Sequence, residues 1–241
     1  MNVVLIARKA ELLNKIANEI QTQYGVKAEV VIADFGLGAN IYMNIEEGLE
    51  GKDIGILVNN VGVGIDKIKY FHEFSEEKLW NMINVNIAAM TLMTKMILPR
   101  MEAKKKGAII NVASVAGLAP QPLNSMYSAT KAYVDFLSRG LAYEYSDKGI
   151  TVQCVCPGPV LTDMLTAVAA DDVNNVTTTI LIPDVNVYTA QAMSTLGFSY
   201  QTTGYWKHAF WLQIGLWSSP ALSKMVAMDM MRKQLAKEKS A

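Results

Sequence analysis

Tyr127 and Lys131 stand four residues apart at the end of the stretch from Ile109 to Lys131, IINVASVAGLAPQPLNSMYSATK. On a helix this spacing puts both side chains on one face. An ammonium held near a phenol favours the phenolate, so the expectation is a Tyr127 pKa below its ordinary value of about 10. A phenol tuned in that way serves as an acid or base near neutrality. Ser114, thirteen residues before Tyr127, offers a hydroxyl that can hydrogen-bond an oxygen being protonated. The plainer alternative is an amphipathic helix with a surface Tyr and Lys. Two matched residues do not separate these readings, so the surrounding elements must.

Those elements alternate from the start. Asn2 to Ala7 (NVVLIA) is a continuous apolar run of the kind buried in parallel sheets. Lys9 to Tyr24 has helical periodicity through Leu12, Leu13, Ile16 and Ile20, and Gly25 ends it. Lys27 to Ala33 is a second strand, ending at Asp34. A helix around Ile41 to Glu50 and a third strand, Ile54 to Asn59, follow. Strands alternating with helices predict α/β architecture, a doubly wound parallel sheet with helices on both faces.

The turn after the third strand is NNVG, Asn59 to Gly62. Its glycine suits close backbone approach to a ligand, although an ordinary turn has the same composition. Ser75 with Glu76 and Glu77 reads as a helix start, and the helix runs to about Arg100. Asn86 lies on it, a poor helix-interior residue that is either solvent-facing or placed for a purpose. Lys104 to Lys106 followed by Gly107 reads as a solvated helix end. The helix from Met126 to Tyr145 carries Tyr127 and Lys131. The strand Ile150 to Val155 ends in CPGPVLTDM, Cys156 to Met164, where Pro and Gly stop it.

Composition narrows the function classes. The 241 residues suffice for one large α/β domain. A formal net charge of +0 gives no field for nucleic acid. Cys154 and Cys156 are expected to point to opposite faces of their strand and not to pair, which fits a reducing compartment. No Cys or His cluster accompanies His208, so no metal site is expected and His208 reads as structural. No secretory signal and no run of 18 apolar residues is evident.

NNVG, INVNI, Ser114 thirteen residues before YSATK, and a strand ending in PGPVLTDM occur in one order. Together they resemble the short-chain dehydrogenase/reductase family. The match from MNVVLIAR through TTGYWKHA (Thr202 to Ala209) is similar to its very-long-chain 3-oxoacyl-CoA reductase and 17β-hydroxysteroid dehydrogenase group, over nearly the whole chain. The resemblance implies a Rossmann-like fold and an NADP-dependent reduction of a ketone on an acyl-CoA or steroid. It implies Tyr127 as general acid and Lys131 as its tuner and nicotinamide-ribose ligand. Ser114 becomes the carbonyl ligand, and Asn86 the holder of a water. Arg8 falls where the family contacts the adenosine ribose. A cation there suits the 2′-phosphate of NADP, and an acid would suit NAD. Asp34 is expected by the adenine, Asn60 and Gly62 by the adenosine ribose, and Pro157, Gly158, Val160 and Thr162 by the nicotinamide.

The family pattern also contains a first strand and a glycine-rich TGxxxGIG turn, for which this sequence has no counterpart. The expectation is an N-terminally truncated form, with a gap in the sheet and unpaired backbone on both sides. The second reading is therefore a non-catalytic form acting as a membrane-associated or interaction protein. Residues 1–200 read as the catalytic domain and 201–241 as an aromatic and Met-rich segment with a basic tail. Ala167 to Pro183 reads as a variable loop and helix or a substrate-entry lid, and Asn186 to Leu196 as a helix. Tyr205 to Trp217 suits a membrane surface, an acyl tunnel or plain core, and Met225 to Met231 an adaptable apolar surface. Lys237 and Lys239 resemble a retrieval signal of the endoplasmic reticulum membrane, facing the cytosol. A homodimer is compatible with the family.

Overall fold

The computed structural model describes residues 1–165 and 182–217, together with residues 228, 229, 232, 233, 235 and 236. The expectations for 167–181, most of the Met-rich run, Lys237 and Lys239 lie outside the described residues. Every strand pairing is parallel. Strand β1 (Val3–Ala7) leads through helix α1 (Ala10–Tyr24) to β2 (Ala28–Ile32), and these two strands form one sheet. Gly25 closes α1 at φ 64°, and its N–H bonds to the Gln21 carbonyl. A left-handed residue there costs glycine little and lets the chain return directly.

The second sheet has the order β3 (Ile56–Asn59), β4 (Gly107–Val112), β5 (Ile150–Val155), β6 (Gln201–Thr202). Helices flank both sheets: α2 (Tyr42–Gly48), α3 (Glu76–Ile83), α4 (Ala89–Lys104), α5 (Ser125–Glu144), α6 (Val185–Ser194) and α7 (Trp206–Trp217). This is the α/β arrangement of parallel strands that the alternation predicts. Among the described residues, β1 pairs only with β2, and β3 only with β4. The expected break in the sheet is present.

Packing holds the two sheets in one body. Ile97, Met101, Ile109 and Val152 are buried in the same apolar cluster as Ala33, Phe35, Ile45 and Leu49, with Val4, Ile6 and Val31 against it. The run Glu76–Lys104 is long and apolar enough to cross a membrane, but half of its most apolar window is buried. It serves here as a core helix.

Two local expectations are corrected. Cys154 and Cys156 do not point to opposite faces. Their Sγ atoms lie 3.7 Å apart, both buried and both free thiols. The reason is elementary: side chains alternate with period two, so positions i and i+2 share a face. The helix expected from Ser75 to Arg100 is interrupted by a π turn, Asn84–Ala88. Ser75 does cap its start, accepting from the Lys78 N–H at 3.3 Å.

Candidate active site

Strand β4 delivers Ser114 just beyond its end, and α5 delivers Tyr127 and Lys131. Ser114 is extended, and its Oγ accepts from the Ala116 N–H at 3.1 Å, starting a short 3-10 turn over Val115–Gly117. Gly117 allows that turn to lie on α5. A Cβ on it would stand 2.5 Å from the Lys131 carbonyl carbon and 2.7 Å from the Ala132 nitrogen. Any side chain there would push Ser114 away from the helix. A side-chain hydrogen bond joins Ser114 to the Tyr127 phenol. Lys131 donates from Nζ to the Val112 carbonyl at 2.9 Å, and this Nζ lies 5.8 Å from the Tyr127 ring centroid.

Asn86 enters from the π turn and is 2% exposed. Its Oδ1 accepts from the Val63 N–H at 2.8 Å, and its Nδ2 donates to the Val63 carbonyl at 2.9 Å and to Thr130 Oγ1 at 3.0 Å. Thr130 in turn donates to the Tyr127 carbonyl at 2.7 Å. One side chain therefore ties the loop after β3 to α5. Gly62 sits against the result: a Cβ there would meet Lys131 Nζ at 3.4 Å and Asn86 Oδ1 at 3.6 Å. A π turn within a helix is costly and recurs at functional sites; this one turns an Asn inward where a regular helix would carry it elsewhere.

The electrostatics correct the expectation for Tyr127. Burial raises the phenol above its ordinary value of 10, and the Ser114 hydrogen bond opposes this. Burial likewise pulls the Lys131 ammonium from 10.5 down to about 8, and the nearby sulfurs of Cys154 and Cys156 act against that shift. Both shifts favour the neutral forms, as desolvation requires.

The remaining expected residues form two further groups. Arg8 and Asp34 meet at the carboxyl ends of β1 and β2, 4.0 Å apart and both open to solvent. Asp34 also accepts from the Gly36 N–H at 2.9 Å. Together with Ala7, Val61, Gly62 and Val85 they line a cavity of about 330 Å³. Asn60 is exposed beside it and is not among the lining residues. Gly62 thus connects this cavity to Lys131.

Pro157, Gly158, Val160 and Thr162 follow β5. The Pro157 carbonyl accepts from the Val115 N–H at 2.9 Å, which fastens this segment beside Ser114. Thr162 donates from Oγ1 to the Val160 carbonyl at 3.3 Å.

Sequence reasoning missed the clamp on that segment. Buried His208, on α7, accepts from the Gly158 N–H through Nδ1 at 3.1 Å, and its Nε2 lies 3.1 Å from the Pro159 carbonyl. These partners require the neutral ring with its proton on Nε2. His208 thus holds in place the segment that the family resemblance puts by the nicotinamide. Also missed was a buried amide ladder: Asn59 donates to Asn111 at 2.8 Å, and Asn111 to Ser138 at 2.9 Å. Only the apolar character of those strands, broken by an Asn in each, hinted at it.

Comparison with known proteins now has a geometry to meet. A family model described as short chain dehydrogenase matches residues 1–173. The chain belongs to the short-chain dehydrogenase family. It is 45% identical over 209 residues to the human "Inactive hydroxysteroid dehydrogenase-like protein 1", covering 87% of this chain and 62% of the relative. It is 42% identical over 212 residues to a very-long-chain 3-oxoacyl-CoA reductase of Anas platyrhynchos, covering 87% and 65%. The chain thus spans less than two thirds of the length of these relatives. A short-chain dehydrogenase from Sphingobium yanoikuyae, solved in complex with NADPH, superposes with TM-score 0.73 at 30% identity, covering 89% of this chain and 85% of that one. The family is one of oxidoreductases.

Proposed function

We propose that this chain carries the proton-handling site of an NADP(H)-dependent ketone reductase acting on a lipid-type carbonyl, an acyl-CoA or a steroid. One observation carries the reading: Ser114, the Tyr127 phenol, buried Lys131 and Asn86 are joined through hydrogen bonds and close contacts on one side of α5. The residues present fit a nicotinamide cofactor in part. The side-chain-free face of Gly62, beside Lys131, opens on a cavity that a dinucleotide would extend along to Arg8 and Asp34. Arg8 would hold a 2′-phosphate, Asp34 the adenine, Asn60 and Gly62 the adenosine ribose, and Lys131 and Tyr127 the nicotinamide ribose. Pro157, Gly158, Val160 and Thr162 would flank the nicotinamide.

A nicotinamide cofactor held by these residues would supply the hydride for the carbonyl carbon. This chain's residues deal with the oxygen. Tyr127, kept protonated by its raised pKa, gives its Oη proton to the oxygen as negative charge develops. Ser114 donates to the same oxygen and is held for that task by its turn. Lys131, with a pKa near 8, is poised to return a proton to Tyr127 near neutral pH. Asn86 orders the loop and a water through which Lys131 exchanges with solvent.

The lipid class rests on the similarity to the 3-oxoacyl-CoA reductase and on exposed Trp206, Phe210 and Trp211 along α7, which suit contact with a membrane surface. Residence at the endoplasmic reticulum membrane and homodimer formation belong to the same reading. A non-catalytic role is favoured by a different observation, the missing ladder between β1 and β3; a relative named inactive accords with it. Titration of the chain with NADPH, followed by fluorescence, separates the two. Saturable binding and turnover of a 3-oxoacyl-CoA or a 17-ketosteroid are expected. No saturable binding would sink the enzyme reading for this polypeptide.

A further inference from the structure

Three soft or anionic donors meet between α5 and the end of β5, near buried Lys131. They are the thiols of Cys154 and Cys156 and the carboxylate of Asp135. One ligand atom from each lies within 4.8 Å of the others, and all three residues are buried. The two sulfurs stand 3.7 Å apart. A tetrahedral zinc centre has Zn–S bonds of about 2.3 Å, which sets two sulfurs roughly 3.7–3.8 Å apart. The thiols therefore already have the spacing of two corners of such a centre. We propose that Asp135, Cys154 and Cys156 form a binding site for a soft divalent cation such as Zn(II).

The surroundings support this. Met90, Ala113, Val134, Leu118 and Leu137 form an apolar wall around the sulfurs. A carboxylate buried there is expensive unless compensated by opposite charge. Its present partners are Arg139, Gln201 and the buried Cys154 thiol. Arg139 approaches one oxygen through Nε at 3.1 Å and Nη2 at 3.0 Å, and Gln201 donates to the other oxygen at 2.5 Å. The Arg139 side chain is 43% exposed, and Gln201 is exposed. These two residues orient the carboxylate as outer partners of a metal ligand do.

Binding exchanges two S–H protons for one cation. Two thiolates, one carboxylate and a dication leave a single negative charge, which Arg139 offsets. A solvent oxygen reaching in past Gln201 completes four ligands. Thiolates select zinc-like cations over magnesium or calcium. The site needs no cofactor and stands whether or not the chain is a reductase.

The chain contains only these two cysteines, so a thiolate signature can have no other source. The reduced, full-length chain is titrated with Co(II) and then Zn(II). Expected are one Co(II) per chain with sulfur-to-cobalt charge-transfer absorption and tetrahedral visible bands, displaced by Zn(II). Zn(II) should also shield both thiols from maleimide. Absence of the charge-transfer band in the wild-type chain overturns the proposal, and that measurement depends on no variant folding. Cys154→Ser and Cys156→Ser should each abolish the paired-sulfur spectrum. Asp135→Asn should weaken binding about tenfold or more, as loss of a metal's carboxylate partner does. An unchanged affinity in Asp135→Asn removes the carboxylate and overturns the three-ligand site.

Discussion

The wall built from α5, β4 and the π turn differs from the wall built from β1 and β2 in what holds it. In the first, Asn86, Thr130, Lys131, Asn111 and Ser138 are almost fully buried, and each has a named partner. In the second, β1 and β2 have a ladder only with each other and join the remainder through apolar contacts such as Val4, Ile6 and Val31. Buried polar networks specify one geometry because any displacement strands a donor or acceptor. Apolar packing tolerates displacement better. The difference teaches that the proposed proton-handling groups lie in the half tied by buried polar bonds, and the proposed cofactor-holding residues Arg8 and Asp34 in the half joined by apolar packing.

That contrast can be broken at its strong end first. If an assay of the chain shows turnover, Tyr127→Phe should lower it by about 10³-fold, since positioned general acids contribute roughly 10²–10⁴, with NADPH affinity nearly unchanged. Retained turnover would remove Tyr127 from the acid role. Asn86→Ala deletes three hydrogen bonds and strands the Val63 N–H and carbonyl. Its expected cost is about 2–4 kcal/mol in urea unfolding, because stranded buried groups lose more than a bond's net value.

The weak end calls for smaller effects. Arg8→Glu should shift preference from NADPH toward NADH by only about two- to fivefold in competitive titration, because exposed charge pairs are worth roughly 0.2–1 kcal/mol. The guanidinium here is 60% exposed. The first wall also gives a slope in stability against pH. Lys131 titrates near 8 in the folded chain and near 10.5 unfolded. Between pH 8 and 10 the unfolded chain therefore holds more protons, and stability should rise with pH. Denaturant midpoints of the wild type should climb relative to Lys131→Met over that window. Parallel curves would mean that Lys131 is better solvated than its burial implies.

Much of the site was legible because it is local. Tyr127 and Lys131 share a helix, Ser114 follows a strand, and Gly25 and Ser75 end and start helices through contacts a few residues long. The parallel architecture followed from apolar runs alternating with helical periodicity. The errors arose where a sequence rule was misapplied or where burial outweighed a neighbour. Cys154 and Cys156 share a face by the period-two rule itself. Tyr127 is raised because desolvation exceeds the opposing Ser114 hydrogen bond.

By itself, then, the sequence determined which groups can carry a proton and on which elements they ride, since spacing along one helix or strand sets those relations. Tertiary structure alone decided the rest. It brought His208 to Gly158 across fifty residues, Asn86 to Thr130 across forty-four, and Asp135 to the two sulfurs. Such contacts depend on how helices seat on sheets, which side-chain volume and burial settle. It also decided that Tyr127 and Lys131 are desolvated, and a pKa follows surroundings rather than order along the chain.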